Sequence, residues 1–172
     1  MELIELIQEI LGTNKSPKDN QKEINAMEVG HLWNLLVARY DVLHTTQLLH
    51  GFTDDTDLKS ILKRGLKMLE GQIKTNENLL EKYGIPLPQK PPVSSTPTEN
   101  VEEITDQYIF RRLFRGIQGF IPILCKAFTD TANSEIRDYF QGILIKEIQT
   151  FDKLVEYGKL KGWLHRPPSY KN

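Results

Sequence analysis

Between Gly84 and Asn100 the chain reads GIPLPQKPPVSSTPTEN, and neither a helix nor a central strand can run through it. Pro86, Pro88, Pro91, Pro92 and Pro97 each lack a backbone donor and fix φ near −65°. The stretch also carries too little apolar surface for a core of its own, so it must be a connector. It divides the chain into two halves, and each half holds two long stretches with the 3.6-residue period of amphipathic helices. That division constrains the fold more than any other feature.

In the first half, residues 24–50 place Ile24, His31, Leu35, Val42 and Leu49 at helical spacing, with Leu32, Leu36 and Leu43 widening the stripe. Gly51 is the expected stop, and TDDTD then offers N-cap residues for a second helix over 55–83. Its stripe is Leu58, Ile61, Leu62, Leu66, Leu69, Ile73, Leu79, Leu80 and Tyr83. So short a link predicts an antiparallel hairpin. In the second half the spacing predicts helices over 104–128 and 134–161. The third has Ile104, Tyr108, Leu113, Phe114, Ile117, Ile121, Leu124 and Phe128 inward. The fourth has Ile136, Phe140, Ile143, Leu144, Phe151, Leu154 and Val155 inward. Pro122 predicts a kink in the third, because its ring removes a donor and crowds the carbonyl of Gln118. No segment alternates with period two, which leaves an all-α fold.

KYGIPLPQKPP and KGWLHRPP follow the second and fourth helices and say nearly the same thing. Gly84 and Gly162 are suited to the left-handed conformation that ends a helix, and the prolines beyond prevent its continuation. Ile85 and Trp163 should fold back as apolar plugs. The connector, 84–103, sets the topology. About 18 extended residues at ~3.1 Å each reach about 55 Å, whereas a helix of about 28 residues is about 42 Å long. The connector can therefore start the third helix at the opposite end of the second, giving an up-down-down-up four-helix bundle of the ferritin-like kind.

Ahead of the bundle, residues 2–11 of MELIELIQEILG read as a short amphipathic helix ended by Gly12, and TNKSPKDNQ as a polar loop. Six large aliphatic residues on one face of that helix call for a docking site, on its own bundle or on a partner subunit, and a homodimer or other protein assembly is the expected partner. The 172 residues fit one domain, 1–172, with a formal net charge of −1 from 22 basic and 23 acidic residues. Nucleic acid is not an expected partner, since Arg111, Arg112 and Arg115 spread around a helix, with one of them turned inward. Cys125 is alone in an apolar stretch and reads as a buried, inert thiol. Glu2, Glu5 and Glu9 stand where a secretory signal would carry lysines and an unbroken apolar run, and no apolar run approaches the ~20 residues of a membrane span, so cytoplasmic synthesis is expected.

MEVGHLWNLL, GIPLPQKPP and KGWLHRPP resemble an uncharacterised ferritin-like family related to spore coat protein F of Gram-positive spore formers. The resemblance spans roughly residues 24–168. It implies a ferritin-like fold and a place in the spore coat, and no established activity; its members often carry two such domains, where this chain carries one.

Ferritin-like bundles that handle iron use a glutamate from each of two helices and Glu-x-x-His from each of the others. Here Glu28 and His31 form one such pair. Glu147 lies on the fourth stripe, but Thr150 stands three residues on. The second helix turns Gln72 and Asn76 inward, with Glu70 and Glu77 to the side, and the third offers Gln118. In the expected topology Glu147 sits half a helix away from Glu28. No cofactor and no metal are therefore expected, with Glu28, His31 and Glu147 as the candidate ligands. His31, Gln72, Asn76 and Gln118 are instead expected to form a satisfied polar layer. The chain lacks a Ser-His-Asp arrangement, a glycine-rich phosphate loop and a CxxC. A structural or interaction protein is the reading that follows, with iron storage or peroxide handling as the alternative; a binder of apolar ligands beside Pro122 is a third.

Overall fold

A computed structural model describes residues 16–91, 104–165 and 167–170. The amphipathic segment 2–11 and residues 92–103 of the crossover lie outside the described residues. The helices are α1 (Pro17–Asn20), α2 (Ala26–Phe52), α3 (Thr56–Lys82), α4 (Asp106–Asp130) and α5 (Ser134–Lys161), with a 3₁₀ turn at Gln21–Glu23. No strand occurs among the described residues.

Each long helix starts where a short polar side chain can satisfy the orphan N–H groups of the first turn. Asn25 accepts from Met27 and Glu28, and Glu28 reaches back to the Asn25 amide in a capping box. Asp55 accepts from Asp57 and Leu58, Thr105 from Tyr108, and Asn133 from Ile136. Gly51 does not stop α2. The helix runs on to Phe52, and the turn is made by Thr53 and Asp55, whose backbones are extended. The PKDNQ part of the expected polar loop is helical instead, because Ser16 caps α1 and Pro17 occupies its first turn, where a missing N–H costs nothing. Pro122 is carried inside α4, which continues on both sides of it.

Hydrogen bonds between helix ends establish the topology. At one end Glu28, in the first turn of α2, accepts from the amides of Ala132 and Asn133 at 2.8 Å each, just before α5. Lys82, ending α3, meets Glu135 in α5 at 2.6 Å, and His31 meets Asp130, ending α4, at 3.0 Å. At the other end the Asp54 and Asp55 amides donate to the carboxylate of Asp106, the first residue of α4, at 3.0 and 2.9 Å. So α2 and α5 start together, α3 and α4 start together at the opposite end, and the order is up-down-down-up, a ferritin-like bundle. The described start of the crossover already turns back along the first hairpin. Trp33 donates to the Pro86 carbonyl at 3.2 Å, and Lys90 pairs with Glu77 at 2.8 Å.

Both echoing tails close their helices in the same way. Gly84 (φ 64°) and Gly162 (φ 69°) are left-handed. Ile85 donates to the Leu80 carbonyl and Trp163 to that of Gly158, each at 2.9 Å, while Gly84 and Gly162 donate to Glu81 and Lys159. This is the paired 6→1 and 5→2 pattern of a Schellman ending. Ile85 then packs on one apolar cluster and Trp163 on another. The Trp163 ring lies 6.0 Å from Phe110 and 5.8 Å from Tyr157. Gly158 is required beneath them, since a Cβ there would come within 2.4 Å of the Phe110 ring.

The buried side chains form two clusters, one toward each end. The first includes Leu32, Leu36, Leu80, Tyr83, Ile136 and Phe140, and the second Leu58, Leu62, Ile109, Phe110 and Leu154. Two expectations fail here. Cys125 is exposed, because its neighbours Leu124 and Ala127 take the inward positions of that turn. Tyr108 is 46 % exposed, because the buried phase of α4 is set by Ile109 and Phe110, and Tyr108 falls about 200° from Phe110. No described helix is long and apolar enough to cross a membrane.

Candidate functional site

The two clusters are separated by polar chemistry and by empty space. Arg39 lies in phase with Leu32, Leu35 and Leu36 on the inward stripe of α2, and Glu147 lies between Ile143 and Leu154 on that of α5. Each stands thirteen residues beyond the first residue of its helix, and the two helices start at the same end, so they face each other at one level. Arg39 Nη2 donates to Glu147 Oε1 at 2.6 Å, and both side chains are all but inaccessible, at 3 % and 2 % exposed. The guanidinium also lies over the Phe120 ring, 4.6 Å from its centroid. Arg39 Nε is buried without a partner among the described residues. Taking two charges out of water costs several kcal/mol per ion before their attraction offsets it. An ion pair held by a single bond is therefore an expensive feature to place mid-bundle.

Beside this pair lies a cavity of about 690 Å³ lined by all four long helices. Val42, Leu49, Ile61, Leu62, Ile117 and Leu154 are among its apolar walls, and Arg39, Glu147 and Phe120 form part of the same lining. Four exposed charged residues complete it: Asp41, Arg64, Arg112 and Lys153. Arg64, Arg112 and Lys153 make no ion pair among the described residues. Ligand pockets commonly occupy about 300–1,000 Å³, with mostly apolar walls and a few polar groups. The cavity has that make-up.

The side chains singled out in the sequence are not gathered there. Glu28 lies at the end of the bundle with three backbone amides on its carboxylate: Asn25, Ala132 and Asn133. His31, one turn on, pairs with Asp130. That carboxyl is held below its usual range by hydrogen bonds from Lys126 and His31. Glu147 is eleven residues further along the axis than Glu28, roughly 16 Å at 1.5 Å per residue. Among the described residues no three His, Cys, Asp or Glu side chains converge as a metal-binding group.

The expected polar layer does not form either. Asn76 donates to the Leu32 carbonyl at 3.0 Å, but the Gln72 amide has no partner among the described residues, and Gln118 is exposed and bonded to Arg115. Glu77, expected to the side, accepts from Tyr40 at 2.6 Å. Burial, and then that bond, push the Tyr40 phenol far above its usual range. Arg111 is the half-buried member of its arginine group and lies against His165. Arg39 is the residue that sequence reasoning missed. Its signal was present, since it falls in phase with Leu32, Leu36 and Leu43.

Comparison with known proteins follows the same architecture. A crystal structure described as a "putative spore coat protein" from Bacillus halodurans C-125 superposes with a TM-score of 0.80 at 20 % identity, covering 91 % of this chain and 100 % of that one. A two-domain protein from Anabaena variabilis with DJ-1/ThiJ/PfpI-like and ferritin-like domains matches with a TM-score of 0.56 at 16 % identity, over 93 % of this chain and 42 % of that one. Among curated proteins, "Uncharacterized protein YvdQ" of Bacillus subtilis (strain 168) is 24 % identical over 147 residues, covering 82 % of this chain and 85 % of that one. The model of a family described as a protein of unknown function, DUF3231, matches residues 13–172, so the chain belongs to the DUF3231 family.

Proposed function

We propose that the chain is a structural and interaction protein of the spore-coat kind, a single helical unit that acts through assembly. The observation carrying this reading is the superposition, along essentially the whole of both chains, on the Bacillus halodurans putative spore coat protein. The residues support it over a metal-dependent role, because Glu28, His31 and Glu147 are each engaged elsewhere and stand at two levels of the bundle. In a Gram-positive spore former carrying the gene, the tagged protein should be recovered with the coat fraction of purified spores. Recovery only from the soluble fraction of growing cells would overturn the assignment.

The finer part of the proposal is a symmetric dimer to which the segment 2–11 contributes. Its support is the sequence pattern, six large aliphatic residues on one face of ten positions. A contiguous apolar face of that kind is rarely left in water. Deleting residues 1–12 should shift the protein toward monomer in sedimentation while its helical circular dichroism persists. A truncated protein that stays dimeric sinks this part.

A further inference from the structure

We propose that the mid-bundle cavity is a binding site for one anionic single-chain amphiphile, an acyl-chain carboxylate whose alkyl body lies inside and whose head group meets Arg64, Arg112 and Lys153. Three observations carry it. The first is the shape of the space. Its lining on α2 extends from Arg39 to Leu49 and on α3 from Ile61 to Leu69, which at 1.5 Å per residue is roughly 12–15 Å along the axis. A space of that length admits an extended alkyl chain. The second is the distribution of polarity. Most of the wall surface is apolar, and the buried charged groups of the lining, Arg39 and Glu147, neutralise one another.

The third is the placement of the remaining charges. Arg64 and Arg112 each stand eighteen residues before the last residue of α3 and α4, and Lys153 nineteen beyond the first of α5. Those three helix termini share one end of the bundle, so the three cations lie at a common level, about midway along the lining. All three line the cavity with no ion-pair partner among the described residues, against a single exposed acid, Asp41. Unpaired cations ringing an apolar space complement one anion attached to one apolar chain. A neutral alkane would leave them unused, and a polyanion would have nothing to place in the aliphatic interior.

Two glycines supply the test. Gly65 and Gly116 line the cavity, and a Cβ at either meets nothing within 4 Å, so a larger side chain there has open space to enter. Full-length protein is titrated calorimetrically with sodium dodecanoate below its micelle range, with 1-dodecanol, and with phosphatidylglycerol vesicles. One dodecanoate should bind per chain, about tenfold more tightly than the alcohol, as a partly solvated charge contact of about 1.4 kcal/mol would give. Arg64→Gln with Arg112→Gln and Lys153→Gln should remove that preference and leave dodecanol binding unchanged. Gly116→Leu, or Gly65→Leu should the first variant fold poorly, should abolish binding of both without lowering the thermal midpoint. Absence of saturable dodecanoate binding overturns the proposal, as does binding that neither the glycine nor the cation variants alter. Binding to vesicles without binding of monomeric dodecanoate also overturns it, in favour of a membrane surface.

Discussion

Glu28 and Glu147 are both carboxylates in first-rank buried positions, each about 1 % exposed, yet they are held in opposite ways. Glu28, at the end of the bundle, is held by three backbone amides from two different segments, Asn25 before α2 and Ala132–Asn133 before α5. Glu147, in the middle, is held by one side chain, Arg39, beside a cavity. Glu28 is tied by backbone groups that every sequence supplies, and Glu147 by a pair that two substitutions could replace. Topology and register are therefore fixed at the ends, which leaves the middle free to carry a hollow.

The largest effects should come from breaking each anchor singly. Glu147→Ala strands a buried guanidinium, and removing one partner of a buried pair costs about 3–5 kcal/mol; chemical denaturation should show a loss of that size. Arg39→Met combined with Glu147→Leu should recover most of it, because an apolar pair of similar volume carries no desolvation penalty. Should the double variant be as unstable as Glu147→Ala, the pair would be holding structure in a way that charge alone does not explain. Glu28→Ala should cost less, about 1–2 kcal/mol, since it leaves part-buried amide donors unmet rather than a bare buried charge. No second side-chain substitution should restore it, because the orphaned groups belong to the backbone. A rescue there would erase the distinction between end and middle.

Much of the ends was legible in advance for the same physical reason. Asp55, Thr105 and Asn133 precede periodic apolar runs, and their short side chains have one favourable use at that place. The glycine–proline tails announced left-handed endings, and the length of the crossover announced the parallel pairing of α3 and α4. The middle was legible only in part. Glu147 stood visibly on its stripe, but Arg39 is long and charged, and a charged residue on an apolar stripe reads as snorkelling until its partner on another helix is known. A cavity leaves no mark in periodicity at all, because the walls of a hollow and the members of a core are the same aliphatic residues. Gly51 misled because a glycine can be helical when extended residues follow it, and Cys125 because an apolar neighbourhood in sequence spans both faces of a helix.

The two tails offer a gentler comparison. Gly162 and Gly84 have nearly the same φ, but a Cβ at Gly162 meets open space while one at Gly84 would come within 3.0 Å of Gln21 and Pro17 side-chain atoms. Gly162→Val should thus report the left-handed backbone cost alone, about 1–2 kcal/mol. Gly84→Val should cost more, by whatever the docking of α1 on the end of α3 contributes. Equal shifts in the thermal midpoint would mean that α1 adds nothing there.

The smallest effect concerns the far end, where Asp55 caps α3 and also receives Tyr157 at 3.0 Å and the Lys161 ammonium. Its carboxyl is lowered to about 2, first by the Lys161 bond and then by the Leu58 amide, from an ordinary 3.8. In the unfolded chain it titrates near that ordinary value. The stabilisation from the ionised form is therefore complete above about pH 4 and disappears as pH falls from there toward about 2. Lys161 is shifted the other way, raised by the same bond, so its contribution is present below its unfolded value of 10.5 and is lost as pH climbs beyond it. Water reaches this half-buried corner, and its screening keeps the pair's contribution small. Asp55→Asn separates the charge from the cap, because asparagine caps a helix about as well as aspartate. Thermal midpoints measured from pH 2 to 7 should fall less steeply on the acid side for Asp55→Asn than for the wild type, with only a small deficit at pH 7. Parallel acid limbs would assign the cap, rather than the charge, to whatever Asp55 contributes, and would leave the far end held by backbone bonding as fully as Glu28 holds the near one.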